Sequence, residues 1–205
     1  MARALMHHSI HGVQLSGNVV DVGGGRGASY LSYMEMQDNT TVAGFDLKED
    51  KGVVVQLDFE KDRLPRETAS VDHVLMFNIL EHIYHYQYLV GEVARIMKDG
   101  AKLTGFVPFL VNYHPDPHDY FRYTHEALEL ILTEAGLKNV VVREVGKGPF
   151  LVNFNNLAPS LPRIVAVPSF LIAYFFDTLL TQLRPKIGKR YPLGYLFLAT
   201  KSASS

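Results

Sequence analysis

Asp21 stands two residues ahead of a glycine cluster, in the run DVGGGRGA from Asp21 to Ala28. Gly23, Gly25 and Ala28 satisfy the G-x-G-x-x-A form of a nucleotide-binding turn, in which bare backbone lets a ligand come close and the next helix offers free N–H groups. Two ligands fit that pattern, and charge separates them. A dinucleotide would put its pyrophosphate here, where the Asp21 carboxylate repels it. S-adenosyl-L-methionine would bring an ammonium and a sulfonium, which the same carboxylate attracts. Asp21 therefore favours the methyl donor, and Arg26 stands in the loop to assist with the donor's own carboxylate. Asp46 ends the apolar run TVAGF, where an acid can accept from both ribose hydroxyls. Asp58 ends VVVQL, where it can accept from an adenine amino group. Leu47 and Phe59, the residues after these two acids, complete the same wall. Each acid alone is as readily a cap of a turn or helix, but three acids at three adjacent strand ends outline one ligand.

A second constellation follows. NILEHIYH, residues 78 to 85, begins where the strand VDHVLMFN ends, at the carboxyl edge where open α/β sheets bind ligands, which turns Glu81 and His82 toward whatever receives the transferred group. His82 is read either as a general base or as a positioning residue. An alcohol or phenol acceptor gains from a base, whereas an amine needs only its lone pair. The loop NYHPDPHDYFRYT, residues 112 to 124, adds His118 as a second candidate for catalysis, with His114, Asp119 and Arg122 contacting substrate or ordering the loop. His114, Asp116, His118 and Asp119 also have metal-ligand chemistry, but the two prolines hold the backbone extended and no metal is expected there. Tyr120, Phe121 and Tyr123 are equally read as packing for the next helix.

The elements that position these groups are legible in the patterning. NVVDV (18 to 22), TVAGF (41 to 45), VVVQL (53 to 57), VDHVLMFN (71 to 78), AKLTGFV (101 to 107), NVVVREV (139 to 145) and LGYLFLAT (193 to 200) read as strands. Helical spacing predicts a helix over 28 to 36, facing inward through Tyr30, Leu31 and Met34. A second is predicted over 83 to 97 through Ile83, Tyr86, Val90, Val93 and Met97, stopped by Gly100. A third is predicted after a Thr124 cap, with Leu128, Ile131, Leu132 and Ala135 inside. The last strand has no helix after it and is expected to pair antiparallel.

The runs VVDVGGGRG, GFDL, QLDFEKDRLP, SVDHVLMFNILEHI and VARIMKDGAKLTGFVP resemble, in order and spacing over residues 18 to 109, the class I S-adenosylmethionine-dependent methyltransferases of the type 11 kind. The resemblance implies an α/β fold, a Rossmann-like three-layer sandwich whose seven-stranded, mostly parallel sheet has an antiparallel last strand. It also implies cofactor contacts at Asp21, Gly23, Gly25, Asp46, Asp58 and Asn78. Two departures stand out: Gly24 where the family usually has cysteine or another small residue, and a short N-terminus that leaves little chain to cover the site. HDYFRYT together with KRYPLGYLFLATK is similar to methyltransferases of bacterial surface-sugar and lipid pathways, which implies a small-molecule, sugar or lipid-linked acceptor. Two rivals remain. A nicotinamide-dependent oxidoreductase needs a catalytic pair such as Tyr/Lys, and no YxxxK follows a plausible strand; a non-catalytic member of the fold would bind cofactor without turnover.

With 205 residues and 47% hydrophobic composition, one domain over 1 to 205 is expected, carrying an apolar helical insert at about 150 to 191 between the last two strands. The 20 basic and 21 acidic residues nearly cancel, so no global field draws nucleic acid, and none is expected as a partner. Absence of cysteine and of a signal-like start makes the cytoplasm the expected location. Within the insert, IVAVPSFLIAYFFDTLLTQL approaches the length of a membrane span, but Pro168 and Asp177 are read as interrupting it. Its apolar face is assigned first to burial against the sheet, then to a homodimer contact, then to a hydrophobic or lipid-linked acceptor. Arg184, Lys186, Lys189 and Arg190 beside it suit a solvated face or peripheral contact with a membrane.

Overall fold

The apolar runs of the first half pair side by side as parallel strands, and the reversed strand at the end of the chain slots between the two strands before it. In the computed structural model, which describes residues 2–25, 28–47 and 54–202, the chain opens with α1 (Ala2–Ser9), β1 (Gln14–Leu15), β2 (Asn18–Val22), β3 (Glu35–Met36), β4 (Thr41–Asp46) and β5 (Val54–Gln56). It continues through β6 (Val71–Phe77), α2 (Tyr86–Ile96), β7 (Met97–Pro108), α3 (His125–Glu134) and β8 (Leu137–Gly146) to α4 (Pro149–Leu157), α5 (Arg163–Leu183) and β9 (Pro192–Lys201). The seven-stranded sheet has the order β5-β4-β2-β6-β7-β9-β8. β9 alone in it runs antiparallel, to both β7 and β8. Strand order reverses between β2 and β6, so the crevice outside their carboxyl ends is where an open sheet of this kind takes a ligand.

Alternation along each strand builds a core on both faces. Val20, Val22, Val74, Met76 and Leu103 point to one, where Val90 and Val93 of α2 and Leu128 and Leu132 of α3 cover them. Val19, Leu75, Phe77 and Leu196 point to the other, covered by Met6 and Ile10 at the N-terminus and by Tyr30 and Met34. Thr124 caps α3 by accepting the Ala127 N–H at 3.2 Å, and Leu128 and Leu132 lie inside as predicted.

The structure corrects four expectations. Residues 28–36 form no α-helix but a single 3-10 turn over Ser29–Tyr33 and then β3. Ser32 Oγ donates to the Ser29 carbonyl at 2.7 Å, a local bond that competes with helix propagation, while Tyr30 and Met34 still reach the core. Gly100 does not end α2, which stops at Ile96. Instead Gly100, at φ +77°, turns an irregularity in β7, where the pairing to β6 jumps from Val71↔Met97 to His73↔Lys102. Pro168 and Asp177 do not interrupt the apolar segment: α5 runs unbroken through both. Nor does α5 lie against the sheet. Ala173 and Asp177 are its buried residues, and Ile164, Val167, Leu171, Ile172, Phe175 and Leu183 are each more than half exposed.

Candidate functional site

Because β2 and β4 pair in register, with Asp21 opposite Gly44 and Val22 opposite Phe45, the glycine turn leaves the sheet beside the end of β4. Gly23 donates its N–H to the Phe45 carbonyl at 2.8 Å and adopts φ +81°, with Ile79 packed beneath it. A Cβ on Gly24 would lie 2.0 Å from Oδ2 of Asp21, and one on Gly25 2.5 Å from Oδ2 of Asp46. The turn thus folds down onto two carboxylates, and bare backbone is the sole covering that fits.

Asp21 lies beneath the turn rather than on its open side. It is 1% exposed, and Tyr30 donates its hydroxyl to the carboxylate, with 2.6 and 2.7 Å to the two oxygens. Burial pushes the Asp21 carboxyl up to about 7, nearby Asp46 adds to the rise, and the Tyr30 hydrogen bond opposes it. Tyr30, its ring tilted against that of Phe77 at 4.4 Å, was not among the residues singled out for the site. The sequence showed it as an apolar helical position, and no local signal tied its hydroxyl to Asp21. Asp46 ends β4 next to Gly25, and Leu47 beyond it is half-buried against the core. Asp58 closes a turn: its carboxylate accepts the Glu60 N–H at 3.1 Å and pairs with Lys61 at 2.7 Å, which lowers its pKa. The Phe59 side chain goes into the core, 1% exposed, and offers the edge its backbone alone. Asn78 leaves β6 at φ +53°, with its N–H on the Phe106 carbonyl. Arg26 lies outside the described residues.

Next along the edge, residues 80–82 form a 3-10 turn to which the 112–124 loop is stitched. Tyr120 and Phe121 donate their N–H groups to the Glu81 carbonyl at 2.8 and 3.3 Å, and Tyr123 donates its hydroxyl to the Leu80 carbonyl at 3.1 Å. Asp119 organises the loop. It accepts the His114 N–H at 2.9 Å and both Arg122 terminal nitrogens, at 2.5 and 2.7 Å. The Arg122 guanidinium holds the Asp119 carboxyl down to about 2. Of the two sequence readings for Asp119 and Arg122, loop ordering is the one these contacts describe. The packing reading applies to Tyr123, which is buried, whereas Tyr120 and His118 stay exposed with their rings 5.2 Å apart.

The loop brings His114 over Glu81 and His82. Glu81 has no exposed surface, and Nε2 of His82 and of His114 stand 3.6 and 3.8 Å from its Oε1. The Glu81 carboxylate raises the pKa of His114. Thus Asp21 and Asp46 lie along the same carboxyl edge as Glu81, His82 and His114, with the insert next to them: Asn112 Nδ2 donates to the Asn156 carbonyl of α4 at 2.8 Å. Two clefts elsewhere, one beside Asp99 and Gly100 and one along Arg63–Thr68, contain none of these groups.

The profile of a family described as a methyltransferase domain matches residues 13–142. No curated protein matches the chain in sequence. Among solved structures, an S-adenosylmethionine-dependent methyltransferase from Archaeoglobus fulgidus aligns at TM-score 0.61 and 19% identity, over 98% of this chain and 92% of that one. The putative methyltransferase that Haloferax volcanii Trm112, a methyltransferase activator, binds in a complex aligns at 0.60 and 16% identity, over 100% and 90%. Phosphoethanolamine N-methyltransferase 2 of Haemonchus contortus, solved with S-adenosyl-L-methionine, aligns at 0.59 and 18% identity over 98% of this chain. The chain spans about half, 52%, of that protein's length. The profile match covers most of the sheet and the whole carboxyl edge from Gly23 to Arg122, and on it the chain belongs to the methyltransferase domain family, with the fold of the class I S-adenosylmethionine-dependent methyltransferases.

Proposed function

We propose that the chain binds S-adenosyl-L-methionine at the Gly23–Gly25 turn and transfers its methyl group to an acceptor held by the 112–124 loop. The observation that carries this reading is the turn itself, closed over Asp21 and Asp46 at the point where strand order reverses. When bound, the donor supplies a methyl group already activated by a positive sulfur. The residues of the chain do the rest. Asp46, at the end of β4, accepts the ribose hydroxyls; the turn's backbone lets the methionine end approach; and Asp21 beneath it, its carboxyl pushed up to about 7 by burial, gains negative charge as a cationic ligand above it favours the ionised carboxylate. Where the acceptor is a hydroxyl, its proton goes to His118, exposed on the loop, rather than to His82, whose Nε2 is turned to Glu81. Asp46→Ala is expected to weaken S-adenosylhomocysteine binding by about 10–100-fold, the worth of a lost charge-assisted pair of hydrogen bonds, with unfolding temperature little changed. Calorimetric titration of both proteins with S-adenosylhomocysteine and with NAD checks it. Equal affinity in the two proteins removes the ribose assignment, and binding of NAD alone removes the methyl-transfer reading.

For the acceptor we favour a lipid-linked molecule met at a membrane surface. α5 is long and apolar enough to cross a membrane by length and composition. It presents Ile164, Val167, Leu171, Ile172 and Phe175 to solvent, while its one acid, Asp177, is turned inward. Arg184, Lys186, Lys189 and Arg190 follow at its end, the pairing of apolar face and basic flank that suits an anionic interface. Through Asn156 and Asn112 this insert touches the acceptor-side loop. The expected result is co-sedimentation with phosphatidylglycerol-containing vesicles, reduced more than about tenfold in the double variant Ile172→Asp, Phe175→Asp, since each buried apolar side chain contributes about 1.5–3 kcal/mol. S-adenosylhomocysteine affinity should not move. Wild type that ignores vesicles but pairs with itself, with pairing lost in the same variant, would replace the lipid reading by a homodimer through the insert.

A further inference from the structure

Glu81 has no exposed surface, and neither of its carboxylate oxygens has a hydrogen-bond partner among the described residues. A carboxylate so placed is costly unless a cation or a proton meets it. Two imidazoles face it through Nε2, and the tautomer of each follows from its other nitrogen. Nδ1 of His82 meets the carbonyl of His118, and Nδ1 of His114 meets the carbonyl of Asn112 at 2.9 Å. A carbonyl can only accept, so Nδ1 of His82 carries the hydrogen. At His114 the Asn112 carbonyl at 2.9 Å and Asp119 Oδ2 at 3.6 Å outweigh the Arg122 Nη2 donor at 3.4 Å and select the same tautomer, and each neutral ring turns an Nε2 lone pair toward Glu81. Two lone pairs and a carboxylate then converge with no donor among them. Backbone carbonyls gripping Nδ1–H are also what orient the histidines of metal sites.

We propose that Glu81, His82 and His114 hold a divalent transition-metal ion of the zinc class. Their ligand atoms all lie within 4.8 Å of one another. Around a tetrahedral zinc with bonds of about 2.0–2.1 Å such atoms stand ~3.4 Å apart, so a small inward movement completes the set. His114, on the loop and 42% exposed, is the side chain able to make that movement, and its open side leaves a fourth position for water or an acceptor oxygen. Two imidazoles with one carboxylate select zinc, cobalt or iron(II) over magnesium and calcium, which prefer oxygen ligands throughout. The set differs from the loop-only group of His114, Asp116, His118 and Asp119, because two of its three members come from the turn after β6. With the ion bound, His82 is a ligand and not a free base. The inference goes beyond methyl transfer, since the ion site would stand whatever the acceptor.

The test uses untagged, chelator-stripped full chain titrated with cobalt(II) chloride and separately with zinc chloride, with S-adenosylhomocysteine affinity measured in every arm. About one ion per chain is expected, with visible cobalt d–d absorption and a zinc-dependent rise in Tm. Glu81→Gln and His114→Ala should each weaken metal binding by at least about tenfold and leave S-adenosylhomocysteine binding intact, while His85→Ala leaves both intact. Folded protein that binds S-adenosylhomocysteine but takes up neither metal overturns the proposal and makes a proton on His114 the counter-charge. Uptake unchanged in both ligand variants overturns it as well.

Discussion

Gly24→Ala is expected to lower the affinity for S-adenosylhomocysteine by about a hundredfold or more, equivalent to ~3 kcal/mol, and to leave the sheet folded, because in this chain, unlike family members with cysteine at this position, the Asp21 carboxylate fills the space a Cβ needs. The new methyl would stand 2.0 Å from Oδ2 and 2.2 Å from Cγ of Asp21. Such a clash is cheap when the atom it meets ends a mobile side chain. Asp21 is not mobile: it is 1% exposed, and the Tyr30 hydroxyl holds its carboxylate. The turn must therefore lift, and the backbone that a ligand would approach moves with it. Gly91→Ala is the control. Gly91 is exposed on α2 with nothing within 4 Å of a Cβ, so alanine there should stabilise by up to about 1 kcal/mol and leave binding alone. Calorimetry on the two variants decides the matter. Affinity of Gly24→Ala close to that of wild type would mean that the ligand does not depend on the closed turn.

Asp177→Leu is expected to loosen the insert by about 3 kcal/mol while the sheet keeps its protection, because it strands buried donors that now share a carboxylate. Oδ1 of Asp177 accepts the Phe150 N–H at 3.1 Å and Oδ2 the Leu151 N–H at 2.7 Å. These donors belong to the first turn of α4, which has no side-chain cap of its own. A negative charge there also meets the positive end of the helix. Leucine keeps the volume and removes both acceptors. Amide hydrogen exchange should accelerate in α4 and α5 and stay slow in β6 and β7. Asp177→Asn, which retains one acceptor oxygen, should fall between. Exchange in Asp177→Leu that matches wild type would show that packing alone, such as Phe150 on Phe176 at 5.4 Å, holds the two helices together.

Asp177 also shows where reading the chain as a string misled. In sequence it breaks an apolar run and argues against a membrane-facing helix, since a lone ionised group in such a run is costly. In the structure its charge is spent on α4, and the outward face of α5 is left apolar. Expected burial of that face against the sheet failed for a related reason. The sheet face is already covered by α2 and α3 on one side, and by α1 with the Tyr30 turn on the other, so α5 packs on α4 within the insert instead.

What the sequence determined by itself is the seven strands of the main sheet, the glycine turn at 23–25 and the acids at or near the ends of β2 and β4, because burial alternation, positive φ and strand-end polarity are properties of a few consecutive residues. The α3 cap at Thr124 is local in the same sense. The tertiary structure decided the partners: Tyr30 on Asp21, Asp177 on the first turn of α4, and His82 and His114 around Glu81. Apart from His82 and Glu81, neighbours in one turn, none of these pairs shares an element. Each depends on which strands neighbour one another and on where a loop is tied down, as the 112–124 loop is to the Glu81 carbonyl, and no local pattern carries that information.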